Sequence, residues 1–588
     1  MIRHKAVYLG LALMLVLAVV AGCAQPAPAS PTAAPAAPTP APQATQPPAA
    51  QPTTAPAATP ATGAQAGKLA DKQILRLNLG QEPPTLDPTL AEDSSAISIL
   101  DSVQEGLVQF KHDLSVAPGL AEKWEVSPDG KTITFKLRDG IKYSDGVPVK
   151  ASDFVYSWKR LLNPETAAPY NSLLGDIKGA TEYMTAKVPT DTAKLPELEK
   201  ALGFSAPDDK TFKVELKGPS TYFVTICALW NTVPLRQDVI EKNKEKWTEP
   251  ANYVSTGPFK IKSWEHQAKI VLVPNEHYYG KKPILQEVQI SMIGEQKAEL
   301  EAFKNGELDI CNDPPTADVP ALKADPELSK MLVKGNTLAT YYIGFNTRKP
   351  PFDNAKVRQA FASAIDRQAI VDVVMQGVPY GPATSFVPPG MPAHSPELGY
   401  KFDVAKAKAL LAEAGYPDGK GFPEVTIMFN SPPVPGHRPL IEFIQDQLKK
   451  NLNVPVKVEA MEWGAYLDKC EHDTPQMYRM GWNADYPHPQ NFLDVVFRST
   501  SANNYTGYKN EQYDKLLDQA AVTADQAEQE KLYKQAEKIF IEDAPIIPIY
   551  YYGHIELVRP WVQGLVVTPM DSNLIGSMFL DEVSIAAH

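Results

Sequence analysis

The chain has 588 residues, 44% hydrophobic and 21% charged, enough apolar side chain for more than one large core. Its formal net charge is -12, and no basic run or basic–aromatic stripe occurs, which argues against a nucleic-acid partner. Four cysteines are too few for a disulfide scaffold, and the ten histidines show no ligand spacing, so neither a metal nor a cofactor is expected.

The first residues address the chain out of the cytoplasm. Arg3 and Lys5 precede an apolar stretch over 6–20, then Ala21-Gly22 and Cys23. That stretch falls short of the roughly 20 residues a membrane span needs, so 1–22 reads as a signal peptide. Val20-Ala21-Gly22-Cys23 resembles the bacterial lipobox, which implies lipidation of Cys23, cleavage just before it, and attachment to the membrane. Residues 24–67 are nearly all Ala, Pro, Thr and Gln. They carry too few bulky apolar groups to offset ordering entropy, so 23–67 is expected to be a lipidated cysteine followed by a disordered tether. Extended, it would reach on the order of 130 Å at about 3.1 Å per residue.

From Lys68 onward the composition is globular. Ile74-Leu75-Arg76-Leu77-Asn78-Leu79 alternates as a first strand, and a helix is expected over 94–110. Two alternating runs flank the turn Ser127-Pro128-Asp129-Gly130 and predict a hairpin over 124–138. The turn Ser144-Asp145-Gly146 follows, then a helix expected to be capped by Ser152. Further strands are expected over 212–216, 259–261 and 269–273. The second half changes character, with helices expected over 354–377, 403–415, 439–451 and 525–543 and strands over 454–461 and 546–552. Helices alternating with strands predict an α/β fold.

Signatures of catalysis are few. No Gly-x-Ser-x-Gly elbow and no His-Glu-x-x-His helix occurs, and Gly419-Lys420 lacks the residues of a phosphate-binding loop. This does not point to an enzyme, although a secreted hydrolase remains the alternative of another class.

The string AEKWEVSPDGKTITFKLRDGIKYSDGVPVKASDFVYSWKRLLNP, over 121–164, resembles the signature of the family 5 extracellular solute-binding proteins. The likeness continues in order through Ser255-Thr256-Gly257-Pro258-Phe259, Asn305-Gly306-Glu307-Leu308-Asp309, Ile365-Asp366-Arg367 and Gly481-Trp482-Asn483-Ala484-Asp485-Tyr486, and covers essentially 72–588. It implies a two-lobed periplasmic-binding-protein-like fold with a hinge. Residues 72–114, 217–338 and 553–588 would form lobe I, 115–216 its appended β-rich subdomain, and 339–552 lobe II. The resemblance also implies a monomer that captures short peptides between closing lobes and delivers them to the membrane subunits of an ABC importer. Relatives that carry oligosaccharides, nickel complexes or haem supply the alternative ligands.

By the same resemblance, Asp485 would pair with the α-ammonium of a bound peptide, with Glu92 helping from the opposite lobe. Gly481, Trp482 and Asn483 would offer a platform for ligand main chain. Tyr170, Trp463 and Tyr552 would form aromatic pocket walls, Arg479 would meet a ligand carboxylate, and Asn430 would be a further ligand-binding residue. The sequence departs from the oligopeptide-binding pattern over 430–438, where the loop is longer and His437 is displaced, which leaves the preferred peptide length open.

Overall fold

The computed structural model describes residues 68–588 apart from 313, 431–436, 524 and 572–573. The expected signal peptide, Cys23 and tether lie outside the described residues.

Three sheets organise the described chain. The first has four strands in the order Ile74–Asn78, Glu287–Ser291, Lys269–Pro274 and Phe259–Glu265. Its leading pair is parallel and the rest antiparallel. The second is antiparallel, in the order Ala121–Val126, Thr132–Leu137, Thr211–Glu215 and Phe204–Asp208. It is one-faced for the reason its sequence suggests: Ile133, Phe135 and Leu137 are buried while their neighbours are not. Helix Ala151–Leu162 covers that face and buries Phe154, Trp158 and Leu161. In the hairpin turn Gly130 adopts φ 69°, a conformation that residues with a Cβ rarely take.

The third sheet holds seven strands. Its main path runs Ile310–Cys311, Ile546–Val558, Leu332–Phe345, Met477–Asn483, Val425–Asn430 and Val456–Met461, with Gly381–Pro382 on the flank of Ile546–Val558. Strands Leu332–Phe345 and Ile546–Val558 pair antiparallel for most of their length, and the register shifts between Asn336 and Thr340.

The apolar side chains segregate accordingly. One core gathers residues from Leu75 to Ile310 together with Val558 to Ile585. Two others lie almost entirely between Leu338 and Tyr550. The chain passes between these bodies along the two long strands, near their register shift. Tyr486 is an exception: it belongs by sequence with the second body but packs into the core of the first, stacked on Tyr222 at 5.8 Å. Cys227, Cys311 and Cys470 are buried.

Three local expectations are corrected. The helix expected over 94–110 stops at Val103, and Val108–Phe110 is a strand. Tertiary contacts end it: Thr256 Oγ1 accepts the N–H of Glu105 at 2.9 Å, and a Cβ on Gly106 would stand 2.5 Å from the carbonyl oxygen of Cys227. Ser152 is not a cap. Helix Ala151–Leu162 starts after Lys150, whose N–H donates to Asp153 Oδ2 at 2.9 Å. The helix expected over 354–377 is broken. Ala355–Ala364 ends at Ile365, then Arg367–Ala369 leads into a π-turn over Ile370–Val374. The buried Arg367 holds the break by donating to the carbonyls of Pro548, Ala362 and Tyr400.

Candidate functional site

Strand Met477–Asn483 carries the candidate residues to the boundary between the two bodies. Gly481 lies opposite Tyr341 and Asn483 opposite Ala339. Past the strand end, the N–H of Ala484 still donates to Leu338 O at 2.8 Å, which pins the chain beside the crossing strands and turns Asp485 away from the sheet.

Asp485 opens onto a cavity of about 420 Å³ whose lining includes Glu92, Tyr170, Trp230, Asn483 and His554. Glu92, Tyr170 and Trp230 come from the first body and Asn483 and Asp485 from the second, so the space is built from both. Asn491 Nδ2 donates to Asp485 Oδ2 at 2.8 Å, and the N–H of Asp485 donates to Asn491 Oδ1 at 3.1 Å. No Lys, Arg or His pairs with Asp485 among the described residues. Burial raises its pKa against the opposing hydrogen bond from Asn491. The phenol of Tyr170 is also raised, by burial first and then by the charges of Asp485 and Glu92, so it senses both carboxylates. At Asp485 and Glu92 the cavity offers carboxylates with no cationic partner among the described residues, while His554, also in the lining, pairs with Glu556. A group bearing a positive charge would be welcome there.

A second group forms around Arg479 on the same strand. Its Nη2 donates to the Tyr552 hydroxyl at 2.8 Å and its Nη1 to Asn430 Oδ1 at 3.3 Å, while the guanidinium lies 4.7 Å from the ring centre of Tyr341. Only 8% of Arg479 is exposed, and its Nε has no hydrogen-bond partner among the described residues. Gly481 makes room for this arrangement, because a Cβ there would stand 2.7 Å from the Tyr552 hydroxyl. His437 packs on Tyr341 with ring centres 5.6 Å apart, and its pKa is pushed down to about 3 by burial and by the charge of Arg479. Most of the divergent loop over 430–438 lies outside the described residues.

The sequence candidates thus divide. Asp485, Glu92, Tyr170 and Asn483 share the cavity, whereas Arg479, Asn430, Tyr552 and Gly481 form the neighbouring cluster. Trp482 is half-buried and donates Nε1–H to Asn491 Oδ1 at 3.0 Å. Trp463 joins neither group: it begins helix Trp463–His472, is 39% exposed and stacks on Tyr466 at 6.1 Å.

Three residues of this site carried no signal in the sequence. Trp230 stands edge-on to Tyr170 at 5.3 Å and donates to Ala91 O at 3.1 Å. His554 faces Gly335 across the crossing strands, where a Cβ would come within 2.3 Å of its ring. Asn491 is 1% exposed. A larger cavity of about 570 Å³ adjoins the first and shares Asp101, Phe110 and Trp230 with it. Its lining comes from the first body alone, so it does not receive groups from both sides.

Among the described residues no group of three or more His, Cys, Asp or Glu could hold a metal ion, and no helix is long and apolar enough to cross a membrane.

Comparison with known proteins agrees with this geometry. The model of the bacterial extracellular solute-binding proteins, family 5, matches residues 115–504. The oligopeptide-binding protein OppA of Bacillus subtilis is 36% identical over 519 residues, covering 86% of this chain and 90% of the relative. The periplasmic oligopeptide-binding protein OppA of Salmonella typhimurium is 36% identical over 525 residues, covering 87% and 93%. Among solved structures, the periplasmic murein tripeptide-binding protein MppA in its unliganded open form superposes with a TM-score of 0.77 at 32% identity, covering 89% of this chain and 99% of that one. These are two-lobed binding proteins rather than enzymes. The chain belongs to the family 5 bacterial extracellular solute-binding proteins.

Proposed function

We propose that this protein binds short peptides between its two lobes and hands them to an ABC importer from the outer face of the membrane, held there by lipid on Cys23. The observation that carries the reading is Asp485: a largely buried carboxylate with no cationic partner among the described residues, in a cavity lined from both lobes, by Glu92 and Tyr170 among others. The α-ammonium of a peptide would supply the missing charge. Relatives named as oligopeptide-binding proteins support a peptide as ligand. Strand Met477–Asn483 pairs with Val425–Asn430 only at Met477 and Tyr478, and beyond Arg479, whose carbonyl accepts the Tyr466 hydroxyl, that edge has no strand partner among the described residues and would suit extended ligand main chain. Arg479 lies along that edge, toward the far end of the ligand. Titration calorimetry on the body from about Lys68 onward, with a product assay alongside, tests the reading. Saturable binding of free peptides without turnover is expected; turnover would replace the binding protein with a hydrolase.

The two crossing strands and their register shift would serve as the hinge, with lobe I built from 72–114, 217–338 and 553–588, the β-rich subdomain from 115–216 and lobe II from 339–552. A ligand stabilises the closed form only through contacts with both lobes. Bound peptide is therefore expected to reduce the radius of gyration in small-angle scattering and to raise the melting temperature. An unchanged scattering profile at saturation would contradict closure.

Anchoring is tested separately. Cys23→Ser is expected to release the protein from the membrane fraction without changing peptide affinity. A variant that stays as firmly membrane-bound as the parent would remove the lipid anchor from the account.

A further inference from the structure

The carboxylate of Asp485 is held by one side chain, Asn491, that no motif singled out. Asn491 is the second residue of helix Gln490–Phe497 and is almost completely buried. Its Oδ1 accepts from two donors, Trp482 Nε1–H at 3.0 Å and the N–H of Asp485 at 3.1 Å. Its Nδ2 donates to Asp485 Oδ2 at 2.8 Å. The orientation of the amide follows from the chemistry, since two N–H donors demand the oxygen and a carboxylate demands the nitrogen. One amide thus spans the Trp482 ring, the turn and one carboxylate oxygen. Oδ1 of Asp485 takes no protein hydrogen bond among the described residues.

We infer that Asn491 is the positioning residue of the ammonium anchor: it holds Asp485 ionised and fixed in one orientation before ligand arrives, with Oδ1 left for the incoming charge. This rests on the proposed role of Asp485. A hydrogen bond donated to the ionised carboxylate favours that form over the neutral one, in opposition to burial. Fixing the side chain in advance also spares the ligand the cost of ordering it. Asn491 itself would touch no ligand.

The consequence appears in the dependence of affinity on pH. Binding an ammonium group needs Asp485 ionised, so affinity falls as pH drops through the pKa of that carboxylate. Removing the Asn491 donor leaves burial unopposed, raises that pKa, and moves the fall to higher pH. The other titratable groups around the cavity, Glu92, Asp101, Tyr170, His554 and Asp571, are common to parent and variant, and Tyr486, which Asn491 also hydrogen-bonds, has its phenol raised by burial and stays neutral from pH 4 to pH 8, so the displacement between the two profiles reports on Asp485.

The experiment is calorimetric titration of the parent and of Asn491→Ala with one tripeptide, free and N-acetylated, from pH 4 to pH 8. For the variant we expect a loss of roughly tenfold to a hundredfold in affinity for the free peptide at neutral pH, the range for a hydrogen bond to a charged group. The acid limb should move to higher pH, with little change for the acetylated peptide. Asn491→Ser, with a side chain too short to reach both Trp482 and Asp485, should act in the same direction and serves if the alanine variant does not fold. A parent that discriminates between the peptides, with variants that weaken both alike or leave the acid limb in place, would overturn the positioning role alone. A parent that binds both peptides equally would overturn the anchor itself and this inference with it.

Discussion

Asp485→Ala is expected to weaken binding of a short free peptide by roughly two to three decades. The estimate comes from the cost of removing one partner of a buried charge pair, about 3–5 kcal/mol, because the other charge then stays buried without compensation. In the ligand-free protein burial disfavours the ionised form of Asp485, the hydrogen bond from Asn491 offsets part of that, and the incoming ammonium would offset more. Acetylating the peptide removes the same interaction from the other side, so the two losses should not add. Isothermal titration of parent and variant with free and acetylated peptide closes that cycle. Losses that summed fully would show two independent interactions and take the ammonium pairing away from Asp485.

The largest expected effect on stability belongs to Trp158→Ala. Trp158 is wholly buried under the β-rich subdomain, with Phe212 edge-on at 4.8 Å, Phe204 at 5.7 Å and Phe223 at 6.0 Å. Its Nε1–H donates to Thr232 O at 3.0 Å, which ties helix Ala151–Leu162 to the turn over Trp230–Thr232. Truncating a buried Trp to Ala costs about 3–5 kcal/mol through lost burial and the cavity left behind. Trp158→Phe should cost less, since most of the contact survives and chiefly the hydrogen bond is lost. Denaturant unfolding followed by circular dichroism measures both. A midpoint for the alanine variant equal to that of the parent would contradict this account of the subdomain core.

Much of this architecture was legible in the residues. Alternation over 132–137 and the turn at Gly130 announced the hairpin, and Asp403 caps helix Val404–Glu413 by accepting the N–H of Lys406 at 2.9 Å. What misled was tertiary. No periodicity could show that Thr256 takes the N–H of Glu105 and ends a helix at Val103, or that Arg367 fastens a break at Ile365 through three distant carbonyls. Asp485 and Glu92 were singled out only by a likeness of strings, because a carboxylate before two prolines reads physically as an ordinary turn. Its unbalanced burial, and the amide of Asn491 that holds it, exist only once residues from both lobes are brought together. Trp463, named by the same likeness, is 39% exposed and is not among the residues lining the cavity.

The central claim is that the ligand is a peptide held by its free α-ammonium group. Mass spectrometry of the small molecules released when the purified protein is denatured tests it most directly. The account predicts short peptides with unmodified N-termini in near-stoichiometric amount. Recovery of an oligosaccharide, a haem, a nickel complex or only N-blocked peptides would contradict it.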